Sequence, residues 1–435
     1  MHKAISIPPM EEEFRTVPNK RKIINDPLYG FINFPSSLIY DLIDHPWFQR
    51  LRRIRQLGLT FYVYPAANHT RFQHALGAAY LMNTALEVIA RKGYPVTEDE
   101  RDAAIAAILL HDIGHGPFSH ALEHSIVKTI DHEKLSGLFM QQLNRLTGGA
   151  LDLSIRIFDD QYSRSFLHQL VSSQLDMDRL DYLNRDSFFT GVTEGAVGYE
   201  RIIKMLKVVN DQLVVERKGI YSIEKYLISR RLMYWQVYLH KTVIAAEQML
   251  VKALSRAREL AYNGTNVFTT PALHGFLYPG PLSDRPLADP ELLLEQFSKL
   301  DDTDIFASIK AWADHPDKVL SLLSEGLLNR KLSGIRIQKT PWNPDQIEHL
   351  RRKAVTEFGF SPHEAEYLVF SDIITNSTYA ENDDQILFFE NSGQLITLSE
   401  ASDIINVPLL SRADSKYYLC YPKWLFANSD TNQAI

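Results

Sequence analysis

The sequence predicts a mainly α-helical protein with a small α+β lobe at its C-terminal end, on three observations. From about Asp41 to Leu260, apolar residues recur at the spacing of buried helix faces. After about Lys339 the pattern changes to short runs rich in Val, Ile, Phe and Tyr. No apolar run approaches the roughly 20 residues needed to cross a bilayer, so these helices are expected to bury their apolar faces against one another in water.

Taken in order, residues 1–21 form a tail that carries Glu11-Glu12-Glu13 and lacks an apolar signal core. No recruitment domain is expected ahead of the helical body. That body is expected to span residues 22–338. Within it, Phe48, Leu51, Ile54 and Leu57 read as the buried side of an amphipathic helix, with Arg50, Arg52, Arg53 and Arg55 on its solvated side. Thr70 to Gly77 opens a second helix in which Leu76, Ala79, Tyr80 and Asn83 recur. The apolar helix Ala103 to Leu110 runs into His111-Asp112-Ile113-Gly114-His115-Gly116-Pro117, whose glycines and proline end or kink it. A short hairpin is expected near Val208 to Tyr221. Residues 263–290, rich in Pro, Gly and Asp, read as a long surface loop broken at Pro279-Gly280-Pro281. Helices follow around Pro290 to Lys299 and Asp304 to Leu328. The lobe, residues 339–435, should hold a helix from Pro344 to Phe358 and strands at Tyr367–Ile374, Gln385–Glu390, Gln394–Leu398 and Lys416–Tyr421. Asn391-Ser392-Gly393 joins two of these strands as a hairpin. No internal repeat is visible.

A formal net charge of −7 argues against a surface that coats nucleic acid. The single cysteine, Cys420, excludes an intrachain disulfide, suits a reducing compartment, and is expected in a strand. A cytoplasmic protein without membrane or nucleic-acid partners is expected.

The chemistry concentrates at His111-Asp112. An imidazole and a carboxylate close a run too apolar to face water, and ionisable groups are rarely buried without partners. A divalent cation is one natural partner for mixed nitrogen and oxygen donors. The alternative is a helix end at which Asp112 meets an arginine and His111 a backbone carbonyl. His74, in the first turn of its helix with Arg71 beside it, is a further donor. So is the face on which Asp178, Asp181, Tyr182 and Arg185 stack at offsets of three, four and seven. Taken alone, that face also suits a solvated helix laced with salt bridges.

Together the segments Ile24-Asn25-Asp26-Pro27, Phe48-Gln49-Arg50-Leu51-Arg52, Gln56-Leu57-Gly58, Arg71-Phe72-Gln73-His74 and His111 to His120 (HDIGHGPFSH) resemble the HD-domain metal phosphohydrolases. The match is best to the deoxynucleoside triphosphate triphosphohydrolases and runs from about Lys22 to Lys241, with a weaker echo beyond. The family pattern H…HD…D falls on His74, His111-Asp112 and Asp178, which the resemblance makes ligands of a divalent ion (Fe, Mn, Zn, Ni or Mg). The implied fold is a helical HD-domain bundle.

By the same resemblance, His115 contacts phosphate near the metal and His132 protonates the 5′ oxygen of the leaving deoxynucleoside. Glu123 stands where the family has an aspartate that orients that acid. His120 matches a family histidine of open role, and His124 reads as a surface or satisfied helix histidine. Arg71, Arg179 (usually lysine in the family) and Arg230 would clamp the phosphates. Gln56 and Asp186 would hold the 3′ hydroxyl, with Tyr182 beside the sugar. Leu57 and Tyr238 would crowd the 2′ carbon and disfavour a ribonucleotide. Tyr238 also fits a plain core aromatic stripe with Tyr234 and Trp235. Lys22, Ile23, Asn25, Asp44, Gln49 and Arg52 coincide with residues that bind an activating guanine nucleotide, GTP or dGTP, between subunits of a dimer or tetramer.

The resemblance therefore implies hydrolysis of dNTPs to deoxynucleoside and tripolyphosphate. The alternatives are an HD phosphohydrolase acting on another nucleotide or phosphomonoester, and a nucleotide sensor without turnover.

Overall fold

A short antiparallel ribbon, β1 (Ile24–Asp26) and β2 (Gly30–Ile32), leads into the helical body of the computed structural model, which describes residues 22–119, 122–127, 130–376, 385–403 and 414–426. The helices that matter for the site are α1 (Ser37–Asp44), α2 (Arg71–Arg91), α3 (Glu98–Leu110), α4 (His132–Leu146), α5 (Met177–Thr190), α6 (Ile220–Met233) and α7 (Lys241–Tyr262).

Local chemistry fixes where these helices start. Gln73 Oε1 accepts the Thr70 N–H at 2.8 Å to cap α2. Thr97 and Glu100 form a reciprocal capping box at α3. Asp131 and Asp176 accept the N–H groups of Lys134 and Arg179 at the starts of α4 and α5. Gly191, in the left-handed conformation, ends α5.

Helix α2 packs against both α3 and α5. Its approach to α5 depends on Gly77, where a Cβ would fall 2.0 Å from Asp181 Oδ1 and 2.2 Å from Arg185 Nη2. One apolar core runs through the body and into the C-terminal residues, from Ile32 and Phe48 through Leu109 and Leu180 to Leu419.

The hairpin β3 (Leu206–Val209) and β4 (Gln212–Glu216) turns through Asn210 and Asp211, both with positive φ, slightly ahead of the expected place. Strand β5 (Gly334–Gln338) pairs with a late strand. The remaining strands are β6 (Phe370–Asn376), β7 (Leu387–Phe389), β8 (Leu395–Thr397) and β9 (Asp414–Tyr421). They close two sheets, ordered β3-β4-β7-β8 and β5-β9-β6. The Pro344–Phe358 helix and the β7–β8 hairpin lie where expected, and Cys420 is buried in β9. The two sheets tie body to lobe. Strand β7 adds parallel to β4 of the body, and β5 pairs with β9 across the expected boundary at 338/339.

Three expectations are corrected. Residues 48–57 do not form one amphipathic helix. A single turn, Pro46–Gln49, passes into a 3₁₀ turn, Arg50–Arg53, and Arg50 is fully buried rather than solvated. Its guanidinium donates to the carbonyls of Leu300, Ile113 and His115 at 3.1, 2.7 and 3.0 Å, satisfying buried backbone acceptors of these loops. The expected loop at 263–290 contains helices Pro271–Leu277 and Pro281–Asp284 and a 3₁₀ turn Pro286–Ala288. Each proline opens a first turn, where its missing N–H costs nothing, and Leu273, Phe276, Leu277 and Leu282 are buried. The expected helix Asp304 to Leu328 is two helices, Asp302–Trp312 and Lys318–Leu328, on either side of Pro316.

Candidate metal centre and active site

Helix α3 ends at Leu110, and the next four residues turn sharply. Ser136 of α4 holds this turn: its Oγ donates to the His111 carbonyl at 2.6 Å and accepts the Gly114 N–H at 2.9 Å. A Cβ on Gly114 would fall 2.3 Å from the His132 carbonyl oxygen, so only glycine lets α4 approach this closely.

That turn faces His74 on α2 and Asp178 on α5. His74 Nε2 lies 3.0 Å from Asp178 Oδ1 and 3.6 Å from Asp112 Oδ2. His111 Nε2 lies 3.3 Å from Asp112 Oδ1 and 3.4 Å from Asp178 Oδ1. The four side chains, drawn from three well-separated segments, thus converge. Both imidazoles present Nε2 inward because Nδ1 is engaged behind. His74 Nδ1 donates to Asp181 Oδ2 at 2.8 Å, and His111 Nδ1 donates to the Ile108 carbonyl at 2.5 Å. The two inward Nε2 atoms are buried and make no well-aligned hydrogen bond.

The charges ask for a cation. Burial alone would lower His74, but hydrogen bonds and charge from Asp178 and Asp181 lift it to about 10. Burial also opposes protonation of His111, yet Asp112 and Asp178 raise it. Against the effect of burial, Arg71, His111 and His115 hold Asp112 well below the ordinary carboxylate range, and His111 and His74 hold Asp178 low. Protons on the imidazoles meet this demand when nothing else does, and a divalent ion meets it with two nitrogen and two oxygen donors. The residues present fit such an ion. The alternative weighed from sequence is also realised and does not conflict: Arg71 Nη1 donates to Asp112 Oδ2, and a carbonyl takes the His111 Nδ1 proton.

Asp181 is anchored in turn. Arg185 Nε and Nη2 donate to it at 2.9 Å each, and Tyr29 Oη donates at 2.8 Å. Arg185 also reaches Asp26 of β1 at 2.8 Å. Asp112, His115 and His132 form a second close grouping, with the two imidazole centroids 3.9 Å apart. Its only carboxylate is already shared with Arg71 and the first set. Burial and Arg71 keep His115 neutral, which suits contact with an anion more than a second cation.

Three of the four converging side chains, those of His111, Asp112 and Asp178, line a cavity of about 1140 Å³. It is lined by His115, His132, Gln56, Leu57, Arg71, Arg179, Tyr182, Asp186, Arg230 and Tyr238, so every candidate catalytic or substrate residue except Glu123 faces one space. Arg71 Nε donates to Ser119 Oγ at 2.8 Å. Arg179 pairs with Asp176. Arg230 meets no carboxylate among the described residues; its Nη1 lies 3.5 Å from Gln174 Oε1. Tyr238, in a π-helical turn that extends α6, donates to Asp186 Oδ2 at 2.7 Å. His69 Nε2 holds the other Asp186 oxygen at 2.7 Å. Gln56 Oε1 is buried without a hydrogen-bond partner among the described residues.

Glu123 opens a one-turn helix, Glu123–Ile126, but its side chain and that of His124 lie outside the described residues, as does His120. The candidate regulatory residues lie outside this cavity. Lys22 Nζ pairs with Asp44 at the end of α1. Arg52 Nε donates to Gln49 Oε1 at 2.7 Å, and its guanidinium lies 3.5 Å over the Phe72 ring. Ile23 is 67 % exposed, beside the ribbon that carries Asn25. None of these six lines the cavity.

Sequence reasoning left five residues of the site unassigned. Asp181 was visible as the offset-three neighbour of Asp178. His69 stands directly before the Thr70–His74 motif. Arg50, Ser136 and Glu247 had no local signal.

The pattern of the HD domain family matches residues 71–159, and that of the HD associated region matches residues 197–268. YwfO, an uncharacterized protein of Bacillus subtilis, is 33 % identical over 426 residues, 94 % of each chain. A crystallised phosphohydrolase from Bacteroides thetaiotaomicron is 51 % identical, with a TM-score of 0.88 over 92 % of this chain and all of that one. The human deoxynucleoside triphosphate triphosphohydrolase SAMHD1 is 29 % identical over 280 residues, and the match spans 44 % of its length. Among the described residues no helix is long and apolar enough to cross a membrane. The chain is therefore a member of the HD-domain phosphohydrolases, related to SAMHD1.

Proposed function

We propose that the protein hydrolyses deoxynucleoside triphosphates to the deoxynucleoside and tripolyphosphate. The observation that carries this reading is that one cavity holds both a cation-binding set and an assembly suited to a sugar and several phosphates. A divalent ion held by His74, His111, Asp112 and Asp178 would supply an acidified water and a Lewis acid for a phosphoryl oxygen.

The chain's own residues do the rest. Arg230, lacking a carboxylate partner among the described residues, is the guanidinium most available to a terminal phosphate. Arg71 and Arg179 are each half-neutralised by an aspartate, and they would turn part of their donor fan to the other phosphates. Neutral His115 would donate to a phosphate oxygen. His132, ring to ring with it, would deliver the proton to the departing 5′ oxygen, with Glu123 as the carboxylate that orients it.

The sugar end is specified by what lacks a partner and what is crowded. Gln56 Oε1, a buried acceptor, would take the proton of a 3′ hydroxyl, with Asp186 on the other side. Leu57 and the Tyr238 ring would crowd a 2′ hydroxyl, and the Tyr238 proton, committed to Asp186, is not offered to it. Tyr182, held neutral by burial, flanks the same wall.

Away from the cavity, Lys22, Ile23, Asn25, Asp44, Gln49 and Arg52 would bind an activating GTP or dGTP at a contact between copies of the chain. The pairing of Lys22 with Asp44 and of Arg52 with Gln49, with Ile23 and Phe31 exposed, supports this part of the reading.

The test is anion-exchange analysis of products from each dNTP, with and without GTP. Deoxynucleoside plus tripolyphosphate is expected. Orthophosphate from a nucleoside monophosphate, with no tripolyphosphate from any dNTP, would replace this function with the phosphomonoesterase alternative.

A further inference from the structure

Glu247, on α7, lines the cavity and has no part in the chemistry above. Three observations set it apart. First, it adjoins the sugar end. A Cβ on Gly58, the residue after Gln56-Leu57, would lie 3.8 Å from Glu247 Oε1. Leu239, the residue after Tyr238, lines the cavity too. A nucleotide whose sugar rested on Leu57 and Tyr238 would share this space with Glu247.

Second, the carboxyl has no hydrogen-bond or ion-pair partner among the described residues, and burial alone pushes it up to about 8. Of the other lining carboxylates, Asp112 is committed to Arg71, Asp178 to His74 and His111, and Asp186 to Tyr238 and His69. Third, the side chain is half-buried at the cavity wall, so its oxygens are open to a ligand that enters that space.

Resting on the dNTP reading of the site, we propose that Glu247 is a specificity-determining residue that reads guanine, its two carboxylate oxygens accepting the adjacent N1–H and N2–H of the base. Guanine alone offers two neighbouring donors on that edge. Thymine, adenine and cytosine each place an acceptor beside their donor, and a carboxylate repels it. In the E247Q variant the side-chain amide replaces one acceptor oxygen with a donor, and so opposes guanine as well.

The experiment measures kcat/KM for dGTP, dATP, dCTP and dTTP at one saturating GTP concentration, on the full chain, its E247Q and its E247A variants. Wild type should prefer dGTP by about tenfold to a hundredfold, the discrimination given by one bidentate pair to a base edge. Both variants should lose this preference through KM for dGTP, with the other three substrates changed little and the melting temperature not lowered. The preference in wild type should also weaken as pH falls through about 8, as the carboxyl takes up its proton. A wild type without dGTP preference, or an E247Q variant that keeps it, overturns the assignment of Glu247 while leaving the dNTP reading intact. Absence of tripolyphosphate from every dNTP with wild type overturns both.

Discussion

At the scale of single residues, the site is a charge balance between two inward-facing imidazoles and the carboxylates that surround them. Asp178→Ala or His74→Ala should abolish turnover and leave less than about one tenth of the wild-type metal content by elemental analysis, the effect of losing one of four ligands. A variant that retains both would sink the four-ligand assignment. Asp181 acts one step back, by fixing the His74 tautomer. Asp181→Asn should therefore weaken metal affinity about 10- to 100-fold, measured by competition with a chelator. Glu247 gives a pH signature independent of catalysis. Its folded value of about 8 lies above the ordinary 4.5, so between these values the folded state holds a proton that the unfolded chain has released. Its contribution therefore makes stability fall as pH rises through that window. Denaturant midpoints between about pH 5 and 8 should show a shallower decline in E247Q than in wild type. The convergence of His74, His111, Asp112 and Asp178 was legible in the sequence because they sit in ordered motifs. Glu247 was not, since a lone glutamate on a long helix reads as surface until the fold turns it inward.

At the scale of elements, close approach does the positioning. Gly77→Ala would force a methyl into the Asp181–Arg185 pair, and should cost about 1–3 kcal/mol of stability as overpacking does, while also lowering metal content. Unchanged thermal midpoint and metal content would show that α2 and α5 yield easily. Arg50→Met would leave the carbonyls of Ile113, His115 and Leu300 without their donor. A loss of about 3 kcal/mol or more is expected from buried acceptors left unpaired, with reduced turnover because the 111–115 turn loosens. Here the helical periodicity misled. Arg50 shares its spacing with the exposed Arg52 and Arg53, and only the three carbonyls supplied by distant segments explain why it points inward. The 263–290 stretch was misread for a related reason. Pro271, Pro281 and Pro286 look like breakers in a one-dimensional pattern, but each begins a turn, and the leucines and phenylalanine that follow Pro271 and Pro281 fill the core.

At the scale of the whole molecule, the regulatory reading predicts that Asp44→Ala removes stimulation by GTP, seen as equal rates with and without it. A fully stimulated variant would refute that surface as the activator site. Sedimentation of wild type should show a larger species when GTP is present. The mainly helical class and the late strands were readable from periodicity, whereas the joining of lobe to body was not. Parallel pairing of β4 with β7 brings Val215 beside Phe388, and contacts so distant along the chain leave no local trace. That pairing also sets a schedule for biosynthesis. While the ribosome is still making residues beyond 216, the outer edge of β4 has nothing to bond with, and it stays so until residues 387–389 emerge. For that interval the nascent chain carries an open strand edge of the kind that recruits other strands, so maturation of the catalytic half waits on the translation of a segment that does not line the cavity.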